Sequence, residues 1–505
     1  MGVDPMSEIW GSMGLGFAVA LSPINLLYAF VGALVGTLIG VLPGIGPVSG
    51  IALLIPILYG MPPASAMIML TALYYGTMYG GSTTSILLNV PGESSSVVTT
   101  LDGYQMARAG RAGPALAIAA VGSFLAGTIS IALLMLFAVP LIRVALAFGP
   151  AEYFGVMLLG LSSVTSLAGH SLVKALISTM LGLMIATVGI DLSTGIPRYT
   201  FGLPQLMDGI SFITVAIGLF AVSEVLLAVE EMGTVRVERM ALGRVWLAWR
   251  DFRESLGAIL RGTGIGFYIG VLPAAGATIA SFLAYNLEKR LSRNPERFGQ
   301  GEIRGVAAPE AANNAAAVGN MVPLLTLGLP GSSTTALMLG ALIMLGVQPG
   351  PLLYQKNPDV FWGVIASMYV GNTMLLVLNL PLVGLFVRIL LIPERVLYPF
   401  ILAVSIVGVW GVNQNLFEVW IGLGAGLLGY YMRKHDYPLA PCVLGLVLGG
   451  LMEQSLRQAL VLSDGSYAVL VTRPIAATLL ALSLLSLLAP YLLTFVHRFR
   501  GDVDV

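Results

Sequence analysis

Long apolar runs, interrupted by Pro and Gly more often than by charge, set the pattern of this chain. About 20 consecutive apolar residues cross a bilayer as a helix. Runs of that kind lie near 14–40, 63–80, 114–148, 153–168, 171–189 and 209–229, then near 256–273, 308–326, 361–386, 396–411, 415–432, 438–453 and 471–496. The 114–148 run is long enough for one tilted span or for a span plus a hairpin arm. Shorter apolar runs at 48–59, 94–100, 278–287 and 334–345 cannot cross alone, and they predict half-helices or re-entrant hairpin arms.

The interruptions recur. Residues 36–46 read GTLIGVLPGIG and residues 266–276 read GFYIGVLPAAG, with seven of eleven positions identical at an offset of 230. A second pair follows, LNVPGESSS at 88–96 and LGLPGSSTT at 327–335, at an offset of 239. The nine extra residues fit in the charged insert at 289–304. Unwound backbone at membrane depth survives only where it lines protein or a water cavity, so paired broken helices in two halves point to a secondary transporter's binding site.

Composition narrows the class. The 505 residues are 57% hydrophobic and 10% charged, with a mean hydropathy of +0.90, against roughly 25% charged residues in a soluble protein. The fold class expected is therefore an all-α polytopic membrane protein. A formal net charge of +0 offers nothing for nucleic acid to bind. The lone Cys442 permits no intramolecular disulfide and reads as a small apolar core residue. No Walker, GxSxG, HExxH or CxxC pattern occurs, which leaves an ATP-driven pump or a membrane hydrolase without recognisable machinery, and the chain is read as no enzyme.

Charge sets the expected organisation. Residues 1–10 form an N-terminal extension without a basic residue, unlike the start of a secretory signal. Repeat 1 spans 11–229, a basic linker 230–254, repeat 2 255–496 and a tail 497–505. Arg236, Arg239, Arg244, Arg250 and Arg253 place the linker in the cytoplasm, as Lys289, Arg290, Arg293, Arg297 and Arg304 place the insert. The insert corresponds to the neutral turn near 59–63 in repeat 1. The loop with Arg108 and Arg111 corresponds to 346–359, which offers only Lys356. Opposite charge bias in matched loops predicts inverted repeats; Arg143 and Arg388, basic at matching places, stand against it.

Chemistry concentrates at the breaks. Gly92, Ser94 and Ser95, and Gly331, Ser332, Ser333 and Thr334, spell helix starts in capping residues, whose free N–H groups and positive dipole end attract an anion without Lys or Arg. Pure capping is the alternative. Asn313 and Asn314, adjacent amides facing different sides, are expected to contact ligand or ion. Candidates for holding a coupling ion, Na+ or a proton, are Gly44, Gly46, Gly80, Gly81, Ser82, Glu93, Gly276, Glu310 and Asn320, with Na+ the one metal ion called for and no other cofactor. Small-residue helix packing is the competing account of the glycines. Glu93, Asp102 and Glu310 are ionisable groups in or beside apolar segments, functional candidates by default; for Asp191 and Asp208 an arginine partner at the interface is the simpler account. His170, His435 and His497 fall at loop ends and show no metal-ligand spacing.

At these residues the chain resembles the large membrane subunit of the tripartite tricarboxylate transporters. The likeness rests on GVLPGIGPVSG at 40–50, YYGTMYGGSTTSILLNVPGESSSVVTTLDGYQMARAG at 74–110, residues 270–276, 309–330 and 331–351, and RYTFGLPQLMDGISFITVAIGLFAVSEVL at 198–226. The resemblance implies a carboxylate importer of the bacterial inner membrane. It would work with a smaller subunit of about four spans and a periplasmic solute-binding protein that delivers citrate or a related carboxylate, and an ion gradient would drive it. A homodimer is left open. A lone porter for another organic anion or an amino acid, and a passive anion channel, are the rivals.

Overall fold

The computed structural model describes residues 5–42, 45–167, 171–191, 194–230, 245–272, 276–389 and 394–500. Gly44, His170 and most of the basic linker lie outside them. The first half runs α1 (Pro5–Ala20), α2 (Pro23–Val41), α3 (Gly46–Leu54), α4 (Pro63–Leu88), α5 (Val97–Arg108), α6 (Ala112–Ala145), α7 (Pro150–Leu167) and α8 (Leu172–Ala186). A short antiparallel pair, β1 (Gly189–Ile190) and β2 (Pro197–Arg198), leads to α9 (Phe212–Ala216) and α10 (Ser223–Glu230), which a π-helical turn joins into one rod.

The second half opens with α11 (Trp249–Val271), α12 (Gly276–Leu291), α13 (Arg304–Gly319), α14 (Met321–Leu327) and α15 (Ser333–Met344). It continues with α16 (Pro351–Lys356), α17 (Pro358–Asn379), α18 (Val383–Ile389), α19 (Glu394–Asn413), α20 (Leu416–Lys434), α21 (Leu439–Leu462), α22 (Val469–Thr472) and α23 (Pro474–Arg500). Among the described residues five helices are long and apolar enough to cross a membrane, so the chain is a multi-pass membrane protein. The run near 14–40 splits at Leu21 and Ser22, where Pro23 opens α2 and the Asn25 amide donates to Val19 O at 2.8 Å. The run near 114–148 is one helix of 34 residues with Pro140 inside, without a hairpin arm. Helix α11 starts at Trp249, inside the segment 230–254.

Both repeat breaks have matching backbone. Leu42 (φ −87, ψ 111) and Leu272 (φ −75, ψ 128) end α2 and α11 in extended conformation. Gly46 (φ +60) and Gly276 (φ +67) then restart the chain in the left-handed region, where a Cβ is strained. Asn89 (φ 57) and Gly328 (φ 70) terminate α4 and α14, and Glu93 (φ −150) and Ser332 (φ −156) open the helices that follow.

Glycine sets how these helices lie together. A Cβ on Gly32, Gly36 or Gly40 of α2 would stand 2.2, 2.3 or 2.4 Å from the carbonyl oxygens of Met69, Leu73 and Thr77 of α4. One on Gly262, Gly266 or Gly270 of α11 would stand 2.4, 2.3 or 2.4 Å from those of Ala308, Ala312 and Ala316 of α13. Only bare Cα atoms permit such approach. Both series rise together, so each pair runs parallel. Between the pairs the sense reverses, since Tyr74 meets Asn320 while Ser82 meets Glu310.

Asp102 proves to be an anchor rather than a seat of chemistry. Its Oδ1 accepts from the backbone N–H groups of Gly299 (2.9 Å), Gly301 (2.8 Å) and Glu302 (2.8 Å), and its Oδ2 from the Tyr285 hydroxyl at 2.9 Å. The charged insert is thus tied to α5. Arg111 pairs with Asp251 at 3.1 Å, bringing the loop after α5 to the start of α11, and Arg261 grips Glu288 through two bonds of 2.9 and 2.8 Å.

Two outcomes follow for stability. Gly266→Ala should destabilise the protein by about 1–3 kcal/mol, because the Ala312 backbone cannot retreat, whereas Gly264→Ala, with nothing within 4 Å of its Cβ, should be neutral or stabilising; unfolding temperatures of the purified variants decide. Asp102→Asn replaces the charged acceptor of three N–H bonds, and limited proteolysis should then cut within 292–303 at protease levels that spare the parent.

Candidate functional site

Where the two helix pairs cross, side chains of each half reach the break of the other. Tyr74 of α4 interacts with Ser332, the residue that caps α15, and accepts from the Asn320 amide at 3.1 Å. At an offset of 239, Asn313 of α13 donates to the Glu93 carboxylate at 3.0 Å, and Glu93 opens the helix of residues 94–108. Residues 74 and 313 correspond, as do 93 and 332, so the contact is made twice, once in each direction.

The chemistry of the two copies differs. At residue 93 the cap is acidic and takes up its own helix start: the carboxylate accepts from the backbone of Ser95 and touches the Ser95 hydroxyl. Ser95 Oγ lies 2.7 Å from Asn313 Oδ1, closing a buried triangle. At residue 332 the cap is neutral. Its Oγ accepts from the Thr335 N–H at 3.3 Å, while the N–H groups of Ser333 and Thr334 make no hydrogen bond among the described residues.

A cavity of about 760 Å³ opens between these starts. Of the residues singled out from the sequence, Gly46, Gly92, Glu93, Ser94, Ser95, Gly276, Ser332, Ser333 and Thr334 line it. The other described ones stand behind its wall. Gly80 packs against Thr37 O, and Gly81 carries Glu93 and Gly92 on its bare Cα. Ser82 and Thr99 both donate to the fully buried Glu310 carboxylate. Neither Glu93 nor Glu310 has an ion-pair partner among the described residues. Asn314, expected to meet a ligand, faces away: its amide donates to Ser123 of α6 at 2.7 Å and toward Glu310 O at 3.4 Å. Asn320 is fully buried, and its Oδ1 carries no hydrogen bond.

A side chain at either glycine before the helix starts would run into neighbouring protein atoms. A Cβ on Gly92 would meet Gly40 O at 2.1 Å and Gly81 Cα at 2.6 Å, and one on Gly331 would meet Asn320 Oδ1 at 2.5 Å. Sequence reasoning expected ligand to approach the backbone at these positions; protein atoms lie over each Cα, and Gly92 also lines the cavity.

Among the lining residues not foreseen are Glu224 of α10, Arg433 at the end of α20, and Asp436 and Tyr437 just beyond. Glu224 lies in the apolar run near 209–229 and could have been noticed as an ionisable residue there. Its ion pair with Arg433 spans 209 positions and leaves no trace in local pattern. Among the described residues no group of three or more His, Cys, Asp and Glu gathers as a metal site.

Comparison with known proteins places this geometry. Residues 26–444 match the model of the tripartite tricarboxylate transporter TctA family. A protein of Agrobacterium vitis described as an uncharacterized 52.8 kDa protein in the TAR-I ttuC' 3'region is 48% identical over 479 residues, 95% of each chain. A second from the same organism, described as an uncharacterized protein in the TAR-II ttuC' 3'region, is 48% identical over 240 residues, 48% of this chain and 99% of its own. No solved structure matches. With most of its length matched, and with helices built to cross a membrane several times, this transporter subunit belongs to the tripartite tricarboxylate transporter TctA family.

Proposed function

We propose that the chain is an ion-gradient-driven importer of tricarboxylates such as citrate, or of related small carboxylates. It acts in the bacterial inner membrane beside a smaller subunit of about four spans and a periplasmic solute-binding protein. The observation that carries this is the cavity into which two helix starts open, one of them with unpaired N–H groups. A helix N-terminus draws a carboxylate through those donors and its dipole, by about 0.3–2 kcal/mol.

Because the two starts are unlike, they take different roles. A substrate carboxylate binds at Ser332, Ser333 and Thr334, where the cap is neutral. Glu93 takes the coupling ion, a proton or Na+, with Glu310 and the unpaired Asn320 Oδ1 as a reserve of oxygen ligands behind it. Coupling then has an electrostatic origin. Two like unit charges about 6 Å apart repel by about 3 kcal/mol at an effective dielectric of about 20, roughly a hundredfold in affinity. A polyanion therefore enters readily only when Glu93 is neutralised, and neutralisation is favoured once the polyanion is present.

We further read the halves as inverted repeats. Support comes from the parallel pairs α2 with α4 and α11 with α13, which meet antiparallel across α4 and α13. With the linker on the cytoplasmic side, the cavity opens inward. Arg433 lies next to Lys434, which bonds Glu230 at 2.7 Å where the linker begins, and Asp436 at the rim is 81% exposed.

The test is uptake of labelled citrate by proteoliposomes holding the membrane subunits, with the binding protein outside and Na+ and proton gradients imposed separately. Saturable accumulation against the citrate gradient is expected; linear, gradient-independent flux would mean a channel. Glu93→Gln should retain citrate binding, free it from dependence on the ion and abolish accumulation, while normal accumulation in that variant would move coupling elsewhere. Ser333→Ala or Thr334→Ala should weaken citrate by about 2–10-fold, the equivalent of one hydrogen bond, and Ser94→Ala should not; equal losses at both starts would sink the division of roles.

A further inference from the structure

Besides Glu93, the described residues lining the cavity include two acids, Glu224 and Asp436, and one base, Arg433. A polyanion with one carboxylate at the α15 start needs a second attraction to offset those negative charges, and among the described residues of the wall only Arg433 offers it. Its guanidinium is held by Glu224 across α20 and α10, with the arginine side chain 37% and the glutamate 16% exposed. As a clamp between those helices the pair is redundant. Six residues beyond Glu224 on α10, Glu230 accepts from Lys434 and from the Tyr430 hydroxyl of α20, each at 2.7 Å. What sets Arg433 and Glu224 apart is that both face the cavity.

Resting on the carboxylate reading above, we propose that the Arg433–Glu224 pair is an exchangeable latch and forms the second anion subsite. A di- or tricarboxylate seated at Ser332–Thr334 presents a further carboxylate to Arg433, which turns from Glu224 to grip it. A guanidinium presents a planar fork of donors that matches a carboxylate bidentately. Glu224 therefore acts as an internal competitor, a protein carboxylate holding the place of the substrate's own, and the latch selects substrates with more than one carboxylate.

The competitor model makes opposite signs the decisive result. The full chain is purified into nanodiscs, and the affinities for citrate and succinate are measured by calorimetry in sodium-containing buffer, with unfolding temperatures to establish that each variant is folded. Arg433→Gln should weaken both probes by about tenfold or more, the equivalent of one charge-assisted hydrogen bond. Glu224→Gln should tighten citrate several-fold because the guanidinium is released, Arg433→Lys should recover part of the loss, and Lys434→Gln should leave affinity unchanged. If Arg433→Gln and Glu224→Gln lose affinity alike, the pair is a clamp and the proposal fails. Parental affinity in Arg433→Gln overturns this subsite while leaving the carboxylate reading intact, whereas a parent that binds neither probe removes that reading and the latch with it.

Discussion

Two helices can approach until a carbonyl oxygen of one rests on the backbone of the other only where no Cβ intervenes, and the interior of this protein depends on that contact. It is made by Gly32, Gly36 and Gly40 on α4 and by Gly262, Gly266 and Gly270 on α13. In lipid the hydrophobic effect gives apolar helices no reason to prefer one another over acyl chains, so close van der Waals approach must supply the association. The glycine rows end at the breaks themselves. Gly40 lies two residues before Leu42, and Gly40 O receives Gly92. Packing that joins the helices thus also positions the unwound segments, and it places both sets of frayed ends at one cavity.

Within that scaffold the two halves differ at residues that face each other across the breaks. Glu93 stands where the second half has Ser332, and Asn313 where the first half has Tyr74. A duplicated pair of neutral helix starts would attract anions twice over and would have no means of linking them to a cation. On the proposed function, one acid at one of the starts makes half of the duplicated site a seat for positive charge, a few side chains from where a carboxylate would be drawn. The buried triangle of Glu93, Ser95 and Asn313 holds that acid through hydroxyl and amide donors, with no ion-pair partner among the described residues.

Much of this was legible in the amino-acid sequence because it is encoded locally. Pro and Gly at 43–46 and 91–92, with their counterparts at 273–276 and 330–331, interrupt apolar runs whatever the surroundings, and Ser and Thr after them cap the helices that follow. The short helices α3, α5, α12 and α15 therefore fall at or beside the short apolar runs. Asp102 and Asn314 have protein partners that the amino-acid sequence does not name. An isolated polar residue in an apolar segment must find a partner, and sequence cannot say whether that partner is a ligand or the protein. For Asp102 it is the backbone of the insert some 200 positions away, and for Asn314 it is Ser123, 191 positions away.

By itself, then, the sequence determined the membrane class, the duplication, the places where helices break and the capping chemistry at those places, since each depends on composition or on neighbours a few residues apart. Only the tertiary structure decided which frayed ends share a cavity, that Gly92 and Gly331 serve packing, that Glu310 is buried against Ser82 and Thr99, and that Arg433 meets Glu224 on the cavity wall. These are encounters between residues separated by tens to hundreds of positions. Whether a polar group meets a partner or an open space there depends on how whole helices are placed, and that placement is set by the glycine contacts summed over both halves rather than by the residues beside the group in the chain.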